Sequence, residues 1–298
     1  MYPDPDRPRR VGKLDIALLG VLLAVCWYVW TRVSDVLVYR WNWSFLPSVL
    51  FRRNEASGGF EPNLLLEGLL TTLKLSLWAM LFASILGMVL GVLATRQRLL
   101  ARLVAFGYVG LIRNIPPLVF IFVFYFFVSS QLMPALGVDA WARNLDGATA
   151  SFMSTLLGPP DLLENLISGV ICMAMFEAAY IAEIVRAGIQ SVPKSQTEAA
   201  MSVGLGPIQI FRLVILPQAL HAVMPPLANQ FILLVKNSAI VSLISVQELT
   251  FIGAEIAVST GRRFETWIVV AVMYFVLCYC LALLFRYLEN RSRRALAR

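Results

Sequence analysis

Charge is scarce in this sequence. Asp, Glu, Lys and Arg make up 14% of the 298 residues and hydrophobic residues 59%, whereas a soluble globular domain carries about 25% charged residues. The shortage excludes a water-soluble protein: the stretches between the apolar runs are too short to bury cores of their own. Histidine is scarcer still, and the single His221 excludes a multi-histidine metal site. The cysteines, Cys26, Cys172, Cys278 and Cys280, all fall inside apolar runs without zinc or disulfide spacing. Neither a metal nor another cofactor is expected. A G-x-x-x-x-G-K-[ST] phosphate loop is missing as well: Gly12-Lys13 is followed by Leu14, and Lys194-Ser195 is preceded by Pro193 where the loop requires glycine. No nucleotide-hydrolysing loop of that kind is therefore expected in this chain. A membrane-embedded enzyme would need a nucleophile with its base, or a metal cluster, and the sequence offers neither.

What is there is a series of long apolar runs. The first covers about 14–38 behind the basic RPRRVGK. It exceeds the roughly 7–15 residues of a signal-peptide core, and no small-residue cleavage site follows. It reads as an uncleaved span with its N-terminus in the cytoplasm. Further spans are expected at about 64–94, 103–128, 166–189, 219–246 and 267–288. Arg96, Arg98 and Arg102 place the turn after 94 on the cytoplasmic side. The segment 129–164 sets Asp139, Asp146, Asp161 and Glu164 against Arg143 and suits the outer side. The aromatic, Gly- and Pro-containing segment after the first span also reads as an outer loop, although Arg40, Arg52 and Arg53 count against that side. The tail from Arg286 onward is again basic. The formal charge of +7 therefore sits in tails and one short loop, a topology signal rather than a nucleic-acid signature. The expected fold is an all-α integral membrane bundle of about six helices, both termini cytoplasmic.

Between the fourth and fifth spans lies a polar, Gly-punctuated segment, SVPKSQT followed by EAAMSVGLGPIQIFRLVILP. Such a segment has to leave the bilayer. Thr197 is an expected N-cap, with Glu198 in the first turn of a short helix through Ala199 and Ala200. Gly204 and Gly206-Pro207 end that helix, and a second apolar stretch re-enters the membrane at Pro217. The shape is a helix, a glycine turn and a second helix lying across the membrane face, a knob for another protein to push. An ordinary interfacial re-entry is the plainer alternative.

The spacing of EAA, three residues, Gly204, nine residues and then Val214-Ile215-Leu216-Pro217 resembles the EAA loop of ABC-transporter importer permeases. AAYIAEIVRAGIQSVPKSQ before it, RNIPPLVFIFVFYF in the third span and LLVKNSAIVSLISVQEL in the fifth resemble the polar amino-acid branch of that family, in particular glutamate/aspartate and glutamine permeases. Ser195 stands where the family usually has glycine, and the long acidic outer loop is unusual. The resemblance covers 64–290. It implies a type I ABC importer permease fold: a transmembrane domain over 63–290 with a coupling loop at 191–217, preceded by an extra helix and outer loop in 1–62 and followed by a basic tail, 291–298. It implies residence in a bacterial inner membrane. The implied partners are a pair of cytoplasmic ATPase subunits, a second permease chain, the same or related, an extracytoplasmic amino-acid-binding protein and lipid. The implied contacts with the ATPase are Glu198, Ala199, Ala200, Gly204, Leu205 and Pro217.

Charged residues inside spans are costly and default to functional hypotheses. Lys74, Arg113, Glu177, Glu183, Arg186 and Lys236 qualify. A zwitterionic amino acid needs an acceptor and a donor: Glu177 is the candidate acceptor, and Arg113 with Asn114, or Lys236 with Asn237 and Ser238, the candidate donors. Mutual neutralisation within the bundle is the competing reading. Glu183 and Arg186, three residues apart, suit a structural ion pair. Pro116-Pro117 and Pro225-Pro226 should kink or interrupt their helices. An ion-coupled secondary transporter working alone would instead predict paired inverted repeats with acidic sites, and no such repeat is visible.

Overall fold

The computed structural model describes residues 12–36, 39–54, 58–144 and 146–296. The basic flank before residue 12 lies outside the described residues, as do the side chains after 291. The chain divides into two compact units, Met1–Trp43 and Ser44–Arg298. The first contains α1 (Lys13–Val36), an apolar helix of membrane-spanning length.

The second unit begins with a short helix, α2 (Leu46–Leu50), and a hairpin of β1 (Phe51–Arg53) with β2 (Phe60–Pro62), Arg52 facing Glu61. These two side chains pair at 3.3 Å, which offsets one of the arginines that counted against an outer loop. Asn63 then donates to the Ser48 carbonyl at 2.6 Å and leads into α3 (Leu64–Thr95). After a tight turn come α4 (Leu99–Arg113), α5 (Pro117–Val123), a π-helical turn at Phe124–Ser129, and α6 (Ser130–Leu136). The expected span at 103–128 is thus two pieces. Pro116 and Pro117 cannot donate backbone hydrogen bonds, so α4 stops at Arg113 and a separate membrane-length segment runs over Pro117–Leu136.

The acidic segment read as a long outer loop is largely helical. Gly137, at φ 64°, closes α6, and α7 (Val138–Arg143) and α8 (Gly147–Leu156) follow. Next are α9 (Leu163–Gln190), the short α10 (Lys194–Ser202) and α11 (Pro207–Ile210), a π-helical turn at Phe211–Ile215, and α12 (Leu216–Asn237). Of the kink or interruption expected at Pro225 and Pro226, no interruption occurs: α12 runs through both. The break comes later, in the 3₁₀ turn Ser238–Ile244. α13 (Leu249–Thr260), a stretch expected to be loop, and α14 (Arg263–Leu296) complete the chain. Six helical segments of the described residues are long and apolar enough to cross a membrane.

The centre of the unit is the seam between α3 and α9, which run parallel: Leu75 meets Gly169, Gly87 meets Ile181 and Gly91 meets Val185. Lipid tails give apolar helices no hydrophobic reason to associate, so small residues that let backbones approach carry the packing. α3 supplies the stripe Ala79, Ala83, Gly87 and Gly91, all buried. A β-carbon on Gly87 would lie 2.7 Å from Ile181 and 2.9 Å from the Ala178 carbonyl oxygen. That carbonyl belongs to a helix backbone and cannot give way. Gly87→Val is expected to lower stability by about 1–3 kcal/mol through overpacking, read as a lower unfolding midpoint in detergent. Gly107→Val, at a position with nothing within 4 Å, should leave the midpoint unchanged.

α14 lies antiparallel to both α12 and α13: Phe231 stacks edge-on with Phe285, and Gly253 abuts Val270. α12 and α13 therefore pack along successive lengths of α14.

Candidate functional site

Two places concentrate polar structure. The first is the segment between α9 and α12. Its helix begins earlier than expected: Pro193, at φ −58° and ψ 138°, is the residue before α10, so Thr197 and Glu198 lie inside the helix rather than at its cap. Proline is suited to that role because its fixed φ leads directly into helical geometry. α10 ends where expected. Gly204 has φ +81°, its N–H bonds to the Met201 carbonyl at 3.0 Å, and Leu205 N–H to the Ala200 carbonyl at 3.2 Å. This left-handed C-cap favours glycine. Gln209 then folds back so that its Oε1 accepts from Gly206 N–H at 2.9 Å, starting the second helix. Glu198, Ala199, Gly204 and Pro217 are exposed, Leu205 is half-buried and Ala200 is buried. Met201, Val203 and Ile208 are 56%, 76% and 82% exposed. Large exposed apolar side chains on a polar segment between two spans mark an interaction surface, for another protein or for the membrane interface. Arg96, from the turn after α3, lies over the Phe211 ring at 5.9 Å.

The second place is the contact of α9 with α12. Glu177, halfway along α9, is fully buried. Its Oε2 accepts from Gln230 and its Oε1 from Asn237 at 3.1 Å. Gln230 and Asn237 stand seven residues apart and so share one face of α12. The structure thus joins Glu177 to Asn237 as a cluster and adds Gln230, which the sequence reading passed over. Its signal was present in that seven-residue interval. Ser238 is buried nearby and bonds its own helix at the Val235 carbonyl, 2.8 Å away.

The candidate donors stand elsewhere. Lys236 belongs to a different face of α12 and lines an open groove of about 540 Å³ against α14, with Asn229, Tyr274, Cys278 and Tyr279. Among the described residues it forms no ion pair. Arg113 closes α4 with its guanidinium 5.5 Å from the centre of the Tyr180 ring, while Asn114 bonds back to the Gly110 carbonyl at 2.6 Å. Glu183 and Arg186 pair as expected, and Arg186 also donates to Gln190 at 2.6 Å. Among the described residues no group of three or more His, Cys, Asp or Glu side chains is arranged to hold a metal.

A further buried carboxylate gave no clear signal in the sequence. Glu248 caps α13, its Oε1 accepting from Phe251 N–H at 2.9 Å and its Oε2 from the Tyr274 hydroxyl at 2.6 Å. Thr72 of α3 accepts from Leu249 N–H at 3.1 Å. The start of α13 is therefore tied to α3 and α14 together.

Comparison with known proteins agrees with this architecture. Residues 83–294 match the model of a family described as binding-protein-dependent transport system inner membrane component. The chain is 34% identical to the probable glutamine ABC transporter permease protein GlnM of Bacillus subtilis over 233 residues, covering 78% of this chain and 95% of that one. It is 30% identical to the glutamate/aspartate import permease protein GltK of Escherichia coli O6:H1 over 256 residues, 86% of this chain and all of that one. A crystal structure of an amino acid ABC transporter with histidines aligns at TM-score 0.61 and 32% identity, covering 76% of this chain and 94% of that one.

Proposed function

The chain belongs to the family of binding-protein-dependent transport system inner membrane components, and we propose that it is the permease subunit of an ATP-driven importer of polar amino acids of the glutamine and glutamate/aspartate kind. Its fold is that of a type I ABC importer permease, and it is a multi-pass membrane protein.

The observation that carries the reading is the exposed knob formed by α10, the Gly204 turn and α11. It connects α9 directly to α12, and its apolar residues Met201, Val203 and Ile208 are left uncovered. In the proposed mechanism a cytoplasmic ATPase subunit receives α10, with Glu198, Ala199, Ala200, Gly204 and Leu205 at or beside the contact and Pro217 starting the re-entrant helix. Closure of an ATPase pair displaces the knob, and the displacement is felt across the α9–α12 contact. A second permease chain completes the path, and a binding protein delivers the amino acid from outside. Both termini and the knob face the cytoplasm. The donor toward the substrate carboxylate is Arg113 with Asn114, or else Lys236 from its groove against α14; Asn237 and Ser238 adjoin Lys236 in sequence but are engaged with Glu177 and with the Val235 carbonyl. Glu177 supplies the acceptor once α12 has shifted to free its oxygens. The ATPase chemistry itself belongs to the partner.

Purification from native membranes in mild detergent, followed by mass spectrometry, tests this. An ATPase bearing a phosphate loop should accompany the chain, together with any second permease sequence. A chain that came out alone and still concentrated amino acid on a sodium or proton gradient would overturn the reading.

A further inference from the structure

At the end of the bundle away from the knob, α3, the segment after α8 and the bend at 245–247 enclose a cavity of about 260 Å³. Drug-sized ligands occupy roughly 300–1,000 Å³, so this space suits a smaller molecule.

Its polar lining is organised. Glu67, Thr71 and Lys74 all line it from α3, and their i, i+4, i+7 spacing puts them on one stripe of that helix. Lys74 Nζ donates to the Ser154 carbonyl at 2.9 Å, which fixes the direction of the ammonium and leaves it further donors. Glu67 and Lys74 are not paired with each other, and Glu67 forms no ion pair among the described residues. Seven residues of helix set the backbone positions of these opposite charges about 10 Å apart along one wall. The facing wall carries the amides of Asn165 and Gln247 and the backbone of Ser245. Ser245 has φ 61°, the one positive φ outside glycine among the described residues, and its carbonyl accepts from Asn165 at 3.4 Å. Left-handed backbone at a residue with a side chain is strained, and such strain concentrates at binding sites.

An α-amino acid carries an ammonium and a carboxylate on one carbon. With a charged hydrogen bond of about 2.8 Å at each end, it bridges a gap of the same order as the Glu67–Lys74 interval. We propose that this cavity is an antechamber for a free α-amino acid, which sets its ammonium at Glu67 and its carboxylate at Lys74 before moving inward. The site is separate from the Glu177 cluster, and it rests on the amino-acid importer reading above.

The test places a single cysteine at Leu157, another lining residue, in a chain whose four native cysteines are alanine. The whole transporter, both permease chains with the ATPase, is reconstituted in proteoliposomes and labelled with a membrane-impermeant maleimide before the binding protein is added, and uptake is measured after its addition. L-Glutamine at ten times its dissociation constant should slow labelling about tenfold by simple occupancy, and propionamide, which lacks both charges, should not. Glu67→Gln and Lys74→Met should each abolish the protection, and Lys74→Arg should keep it, which guards against a merely misfolded variant. Labelling indifferent to L-glutamine while ATP-driven uptake continues overturns the antechamber and leaves the importer reading intact. Protection by L-glutamine without ATP-driven uptake supports the site and overturns the importer reading. Protection that depends on phosphatidylethanolamine in the vesicles, and not on the amino acid, makes the cavity a lipid site and overturns the proposal.

Discussion

Gly204→Arg is expected to leave the protein folded in the membrane and to release the ATPase. A β-carbon on Gly204 would meet nothing within 4 Å, so the internal cost is the strain of φ +81°. That strain is about 1–2 kcal/mol, which a bundle of this size survives. The larger effect is outside: a long cationic side chain projects from the turn beside Met201, Val203 and Ile208. If the disturbed contact ranks among an interface's principal residues, truncation or blockage costs about 2–4 kcal/mol, equivalent to roughly 30- to 700-fold weaker docking. The measurement is co-purification of the ATPase together with ATP-driven uptake. Gly204→Ala separates the two effects, since it carries the strain without the protrusion and should retain most docking. Unchanged co-purification and uptake in the arginine variant would remove this turn from the docking surface.

Glu177→Ala should be the most damaging single change inside the bundle. It strands the amides of Gln230 and Asn237, and each unsatisfied buried group costs about 1–3 kcal/mol. Glu177→Gln separates structure from transport. The amide groups of Gln230 and Asn237 can each rotate to present an oxygen, so a glutamine at 177 can rejoin the cluster and preserve the fold. If Glu177 also receives the substrate ammonium, loss of its charge should depress uptake by about tenfold or more, the worth of one charged hydrogen bond. Glu183→Gln should matter little, because the half-exposed pair with Arg186 contributes less than about 1 kcal/mol. Equal, near-normal uptake in both glutamine variants would show that Glu177 only holds α9 to α12.

The long helices were legible because lipid imposes one rule on every spanning segment, a continuous run of apolar residues. Hence 64–94 is found as Leu64–Thr95 and 166–189 within Leu163–Gln190. The glycine turn of the knob was legible too, since Gly204 and Gly206-Pro207 declare a break locally. Breaks inside apolar runs were only partly legible. Pro116-Pro117 divides a predicted span and Pro225-Pro226 does not, although both are proline pairs in apolar surroundings. The Ser238–Ile244 turn contains neither proline nor glycine, so nothing local announces it. Contacts distant in sequence were equally hidden: Glu177 was singled out by cost, but its binding by Gln230 depends on how α9 and α12 cross. The opposed charges of Glu67 and Lys74 could not be joined to Asn165 and Gln247 before the helices were placed.

The seam of Gly87 and Gly91 against α9 has a mechanical consequence. With backbone meeting backbone, α3 and α9 have no slack in which to slide and move as one beam. Packed surfaces of this kind shift between discrete arrangements rather than flexing. The knob hangs between that beam and α12, so a force on it is delivered to a lever on one side and a fixed post on the other. Under the proposed mechanism, the two amide bonds to Glu177 would be the detent that holds the lever until the push exceeds them.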